Sequence, residues 1–199
     1  MMKLPVMEHF YTIQGEGAFT GYAAYFIRLA GCDVGCVWCD VKESWDTEGY
    51  ARYSIREMLK WVKDSQANRV VITGGEPAMY DLTELCEVFR KEQIFVHIET
   101  SAAHPIKGRF NWICISPKKF KFPIPHEMKR ADELKIVVFN PSDFNWALQW
   151  AKECDSHCKK YLQPEWEKQD ELLPSIINFV KKYPDWQISL QSHKYMNIP

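Results

Sequence analysis

The sequence predicts an α/β fold, a partial, open parallel (β/α) barrel of about six strands with fewer helices. Three observations predict it. Apolar, β-branched runs alternate with amphipathic stretches of helical period, which argues for parallel strands joined by helical crossovers. Each run ends in a small polar cluster, as expected where ligands bind at strand C-termini. About four helices are too few to close an eight-unit barrel.

The elements follow in order. Glu8 to Gly17, EHFYTIQGEG, begins apolar and ends with glycines around Gln14 and Glu16. It reads as a strand running into a loop, either a plain turn or a polar substrate clamp. Ala23 to Leu29, AAYFIRL, reads as a buried strand. Arg28 is its exception and needs an anionic partner, either an internal acid or a substrate carboxylate. Ser54 to Asp64 reads as a helix, with Ser54 and Glu57 as a capping box. Ile55, Met58, Leu59 and Val62 form its apolar face. Arg69 to Thr73 is a β-branched strand running into Gly74-Gly75-Glu76-Pro77. Two glycines there let the backbone approach a ligand closely, although a tight turn gives the same letters.

Asp81 caps a helix to about Lys91, with Glu84 completing its box. Further strands are expected at Ile94 to Ile98, Trp112 to Ile115, Asp132 to Val138, Tyr161 to Gln163 and Trp186 to Leu190. Helices are expected at Ser142 to Glu153 and at roughly Glu167 to Lys182. Glu99 to Ala102, Ser116 to Lys118 and Gln163 to Trp166 are the polar strand ends. With no internal repeat or low-complexity linker, residues 1–199 are expected to form a single domain.

Composition narrows the function. The chain has 199 residues, 46% of them hydrophobic, and a net charge of −1. That is a globular composition without the basic excess of a nucleic-acid binder. The start, Met1 to Phe10, lacks the apolar core of a signal peptide, and no run approaches the ~20 residues of a membrane span. A cytoplasmic protein is expected, with no membrane and no nucleic-acid partner.

The chemistry centres on Gly31 to Asp40, GCDVGCVWCD. Cys32, Cys36 and Cys39 stand in C-x3-C-x2-C spacing just after a strand, with glycines that relax the loop. Three thiolates fit three irons of a 4Fe–4S cluster and leave the fourth open. The alternatives are a zinc site completed by Asp33 or Asp40, or free thiols. Disulfides do not fit seven cysteines without a secretion signal. Cys86 and Cys114 read as core residues. Cys154 and Cys158 read as a solvent-facing helix end, with an auxiliary metal as the other option. His193 reads as a surface histidine, unless Tyr195, Met196 and Ile198 anchor the tail and fix the terminal carboxylate of Pro199.

The cysteine loop, with Trp38 before its last cysteine, and VVITGGEP resemble the radical S-adenosylmethionine (SAM) enzymes, whose fold is the partial barrel above. Taken with FYTIQGEG, AAYFIRLAGC, IETS, ISPK, LQP and the ending SLQSHKYMNIP, nearly the whole chain resembles the 7-carboxy-7-deazaguanine synthases. The resemblance implies a lyase of 7-deazapurine (queuosine precursor) biosynthesis. A reduced 4Fe–4S cluster cleaves SAM to a 5′-deoxyadenosyl radical, which abstracts hydrogen from C6 of 6-carboxy-5,6,7,8-tetrahydropterin. The ring contracts, ammonia leaves, and the returned hydrogen regenerates SAM.

The same resemblance assigns roles. Cys32, Cys36 and Cys39 would ligate the cluster. Trp38, Cys39, Asp40, Glu76, Ala102, Ser116, Pro117, Lys118, Gln163, Pro164, Glu165 and Trp166 would contact SAM, with Glu76 at the methionine amino group. Ile13, Gln14, Gly15, Glu16, Arg28, Thr100, His193 and Pro199 would contact the pterin. A flavodoxin-like electron donor and a homodimer are also implied. Mg²⁺ is implied too, but Val41 stands where the family often has Thr or Ser, so the ion would rest on substrate, water and a backbone carbonyl. Ala102 stands where glycine is common. The rival functions are an activase that installs a glycyl radical on another protein and a non-enzymatic electron carrier or zinc module.

Overall fold

A computed structural model describes residues 2–199. One sheet of nine strands organises it. In chain order these are β1 (Lys3–Ile13), β2 (Ala23–Leu29), β3 (Arg52–Ser54), β4 (Arg69–Gly74), β5 (Phe95–Thr100), β6 (Trp112–Ile115), β7 (Glu133–Val138), β8 (Lys159–Pro164) and β9 (Trp186–Ile188). Their order in the sheet is β3-β1-β2-β4-β5-β6-β7-β8-β9. From β2 onward every neighbouring pair is parallel. β1 pairs antiparallel with both β2 and β3. The two ends of the sheet do not meet, so the barrel is open, as expected.

The strand count is higher than about six. β3 was not foreseen: it is three residues long and hides in front of a helix cap. The parallel strands alternate in what they face. Ile72, Ile98, Leu134, Ile136 and Leu162 are fully or almost fully buried and join the hydrophobic core. Their neighbours Thr73, Glu99, Lys135, Val137 and Gln163 line a cavity instead. That is the two-residue period of a strand with one oily and one polar face.

The helices are α1 (Ile55–Asp64), α2 (Thr83–Lys91), α3 (Ser142–Ala151), α4 (Gln169–Lys182) and the short α5 (Ser192–Met196). The box at α1 is formed: the Ser54 amide donates to Glu57 Oε2 at 2.7 Å, and the Glu57 amide donates to Ser54 Oγ at 3.3 Å. Ile55, Met58 and Val62 are buried beneath it. At α2 the expected box is absent. Leu82 is the N-cap, and Asp81 instead accepts from the Thr83 amide at 3.0 Å, a local turn one residue early. α3 stops at Ala151, and β9 stops at Ile188. Cys86 and Cys114 are core residues as expected. Cys158 corrects the expectation of a solvent-facing helix end, since it lies at 5% exposure within the core cluster. No helix among the described residues is long and apolar enough to cross a membrane.

Candidate active site

The polar strand ends converge on one cavity of about 280 Å³. Cys32, Cys36 and Cys39 are on its wall. Gly31 and Gly35, with φ of 102° and 75°, shape the loop that carries them. Burial pushes the Cys36 thiol up to about 11, against the pull of the nearby Lys118 ammonium. Burial also raises Cys32, opposed by amides of Val34 and Gly35. All seven cysteines are free thiols. Among the described residues no three His, Cys, Asp or Glu converge tightly enough for one metal ion. Asp33, one candidate fourth zinc ligand, is instead held by Lys121 at 2.6 Å and His104 at 3.0 Å. A cubane makes no such demand, because each thiolate takes a different iron.

The glycines of GGEP have a packing task as well. A Cβ on Gly75 would fall 2.5 Å from the Gly31 carbonyl oxygen, and one on Gly74 would fall 2.1 Å from that of Leu29. They let this backbone lie against the end of β2 and the start of the cysteine loop while both glycines line the cavity. The Gly75 and Glu76 amides then donate to the carbonyls of Leu29 and Gly31 at 3.0 and 2.9 Å.

Glu76 is 1% exposed and lines the cavity. Its carboxylate accepts from the Ala78 and Ser101 amides at 3.0 and 2.8 Å, and from the hydroxyls of Thr100 and Ser101. Both oxygens are thus satisfied by the protein. The side chain ties GGEP to the end of β5.

Most of the expected site residues meet at this cavity. Trp38, Asp40, Ser116, Lys118 and Gln163 to Trp166 line it, as do Ile13 to Glu16, Arg28, Thr100, His193 and Pro199. Ala102 and Pro117 do not. The Ala102 amide donates to Thr100 Oγ1 and its carbonyl accepts from Ile124. Its φ of 58° explains why glycine suits this position. The Pro117 carbonyl accepts from Trp146 Nε1. Lys118 donates to Ser116 Oγ at 2.5 Å and lies 5.3 Å from the centre of the Trp38 ring.

Arg28 has the internal acid as its partner: Nε donates to Glu8 Oε1 at 2.6 Å, while the residue also lines the cavity. His193 reaches the wall because α5 folds back over the loop after β1. The Ser192 amide and hydroxyl both donate to the Gly15 carbonyl, at 2.9 and 3.0 Å. A Cβ on Gly15 would fall 2.2 Å from His193 Nδ1. Burial lowers the His193 pKa, with Glu16 opposing. Of the expected apolar anchors, Tyr195 packs edge-on against Trp166 at 5.4 Å and accepts at its hydroxyl from Gln169 Nε2, although it and Met196 are 59% and 47% exposed.

Among the cavity residues with no role assigned from sequence are Glu99 and Lys135. Glu99 belongs to a predicted polar strand end, whereas Lys135 looks incidental inside its strand. The available signal was a lysine inside the apolar run of DELKIVV. Lys135 is 4% exposed and bridges Glu16 Oε2 at 2.5 Å and Glu99 Oε2 at 3.1 Å. Burial alone would raise Glu99, but Lys135, followed by His97 and the bond from Gln14, holds it down at about 2. Burial alone would lower Lys135, and the surrounding acids, Glu16 first, raise it well above the usual lysine range.

Comparison with known proteins agrees with this geometry. The sequence profile of the Radical SAM superfamily matches residues 26–120. A 7-carboxy-7-deazaguanine synthase of Flavobacterium psychrophilum is 46% identical, over 98% of this chain and 93% of that protein. One from Synechocystis is 41% identical, over 99% and 94%. One from Escherichia coli is 33% identical, over 99% and 100%. The crystal structure of QueE from Escherichia coli superposes with a TM-score of 0.86 at 31% identity, covering 95% of this chain and 94% of that one. The chain therefore belongs to the 7-carboxy-7-deazaguanine synthase family of radical SAM enzymes.

Proposed function

We propose that this chain converts 6-carboxy-5,6,7,8-tetrahydropterin to 7-carboxy-7-deazaguanine with loss of ammonia, in the supply of 7-deazapurines. One observation carries the reading: the three thiols and the Gln14, Glu16 and His193 cluster open on the same cavity. The donor set fits a 4Fe–4S cluster, because three cysteines and no fourth line that cavity among the described residues. Cys32, Cys36 and Cys39 would hold it; when bound, it supplies the electron that splits SAM. Binding requires thiolates, so the raised Cys32 and Cys36 thiols release their protons as it assembles.

The remaining work belongs to the protein's own groups. Trp38, Ser116, Lys118 and Gln163 to Trp166 form the SAM wall. The GGEP backbone, rather than the saturated Glu76 carboxylate, offers acceptors to the methionine ammonium. Gln14, Glu16, Thr100, His193 and Pro199 form the pterin wall, with Arg28 at its edge. α5 is tied to the loop after β1 and brings His193 to the cavity wall. Ala102 and Pro117 support these walls from behind.

The finer parts of the reading are a one-electron donor of flavodoxin type, a reducing cytoplasmic setting, a single domain, pairing of two copies and a Mg²⁺ ion at the pterin carboxylate. The free state of all seven cysteines supports the reducing setting. The test is anaerobic reconstitution with iron and sulfide, then incubation with SAM, a reductant and the carboxy-tetrahydropterin. The expected product is 7-carboxy-7-deazaguanine with SAM not consumed. Fully loaded protein that cleaves SAM but leaves the pterin intact would favour the activase.

A further inference from the structure

Four chain segments that lie far apart in sequence close one polar frame beneath the pterin wall. Lys135 Nζ, on β7, bridges Glu16 Oε2 and Glu99 Oε2. The outer oxygens are held as well. Gln191 Nε2 donates to Glu16 Oε1, and Gln14 Nε2 donates to Glu99 Oε1, both at 2.9 Å. Gln14 Oε1 accepts the Glu16 amide at 3.2 Å, which closes the loop. Glu16, Glu99, Gln14, Gln191 and Lys135 all line the cavity.

Two carboxylates and one ammonium leave this wall with one net negative charge. Such a wall suits a neutral ligand edge that carries adjacent N–H donors, as the amino-pyrimidinone edge of a pterin does. Two carboxylates this close would otherwise share a proton, and a shared proton would replace an acceptor with a donor. We infer that Lys135 is a positioning residue of the pterin site: it keeps Glu16 and Glu99 ionised and fixed as a paired acceptor for the substrate's N–H edge. This rests on the function proposed above. Lys135 acts through the two acids.

Charged and titratable groups surround the frame: Lys118 after β6 acts on Lys135, Arg69 on β4 acts on His97, and Lys194 and Asp40 act on His193. Glu133 lies on the same strand, Cys114 on β6, and His97 on β5 below Glu99. His193 faces Glu16 from α5. Glu133 is bonded elsewhere, accepting from Trp112 Nε1 and from the Ala18 amide. No second cation among these groups contacts both acids, so removing Lys135 leaves them uncompensated.

The test compares Lys135→Met with the parent holoenzyme. The parent's own turnover is measured first, so failure of the functional reading shows as absent product there and is separate from the outcome for Lys135. In Lys135→Met, KM and calorimetric Kd for the carboxy-tetrahydropterin should rise about tenfold or more, with a smaller change in kcat. Pterin affinity should also weaken further as the pH falls from about 8 to 6, which the parent does not show. SAM affinity and the visible spectrum of the cluster should stay at parent values. The charge-balanced double variant Lys135→Met/Glu99→Gln guards against a folding failure. It should show the weaker binding without the new pH dependence. Unchanged pterin affinity and pH profile in either variant, or a loss confined to SAM binding or kcat, would overturn the inference.

Discussion

Gly75 rests directly against Cys32. A Cβ added to Gly75 would lie 2.7 Å from the Cβ of Cys32 and 2.5 Å from the Gly31 carbonyl oxygen. The two motifs of the superfamily are therefore one packed unit, in which the second sets the seat of the first. Both partners at the contact are backbone or Cβ atoms, which cannot swing aside.

Gly75→Ala should therefore act on the cluster before it acts on any substrate. Overpacking at such a site costs about 1–3 kcal/mol. The expected outcome is a folded protein with a lower urea midpoint and less iron per chain after anaerobic reconstitution. Iron analysis and visible absorbance check it. Full iron loading in the variant would mean that the cysteine loop can shift without losing its seat.

Glu76 gives a prediction that needs no cofactor. Its two oxygens take two amides and two hydroxyls in a site that is 1% exposed. In Glu76→Gln one oxygen becomes an NH₂ group facing those donors. At least one buried donor then loses its acceptor, which costs about 1–3 kcal/mol. Urea unfolding of the metal-free protein should show the loss. Stability equal to the parent's would mean that the hydroxyls of Thr100 and Ser101 reorient and absorb the change.

Much of the barrel was legible because its strands are continuous apolar runs, each ending in a polar cluster. Arg69 to Thr73 shows this, with Glu76 just beyond. β3 and α5 were not legible, since three and five residues are too few to display a period. The cysteine loop was legible because sulfur spacing is a local property. Lys135 was not, because its significance lies in a meeting across the barrel with Glu16 and Glu99, 119 and 36 positions away along the chain, and Glu99 was legible only as part of a polar strand end. Arg28 announced a need for an anion, and only the register that sets it opposite Glu8 named one. That Gly74 and Gly75 also give room to the chain's own backbone is a contact between distant segments, which the letters GG do not display.

His97 sets an acid sensitivity. It is 2% exposed, and neither ring nitrogen has a hydrogen-bond partner among the described residues. Burial lowers its pKa to about 4, with Glu99 opposing and Lys135 and Arg69 assisting. A depressed folded value means that stability is full above the unfolded value, near 6.5, and is lost as the pH falls toward 4. The expected loss between pH 8 and pH 5 is about 2 kcal/mol. Glu99 works lower, between its ordinary 4.5 and about 2, and does not overlap that window. Urea unfolding at the two pH values should show a steeper fall in the parent than in His97→Leu. Equal falls would assign the acid sensitivity to other groups.

Val41 bears on magnesium. Its side chain carries no ligand atom, although it lines the cavity. Its own carbonyl is also taken: Ser44 donates to it from the amide at 3.1 Å and from Oγ at 2.6 Å. Both lone pairs are used, so residue 41 has nothing left for a cation that demands six oxygens in near-octahedral array. An ion at the pterin carboxylate would then be held by substrate and water, and weakly. Val41→Thr supplies a hydroxyl on the cavity wall at little change in volume. In that variant the Mg²⁺ concentration for half-maximal rate should fall severalfold, with SAM affinity unchanged. Initial rates across a Mg²⁺ titration at fixed pterin measure it. An identical titration curve in parent and variant would mean that no ion sits beside residue 41.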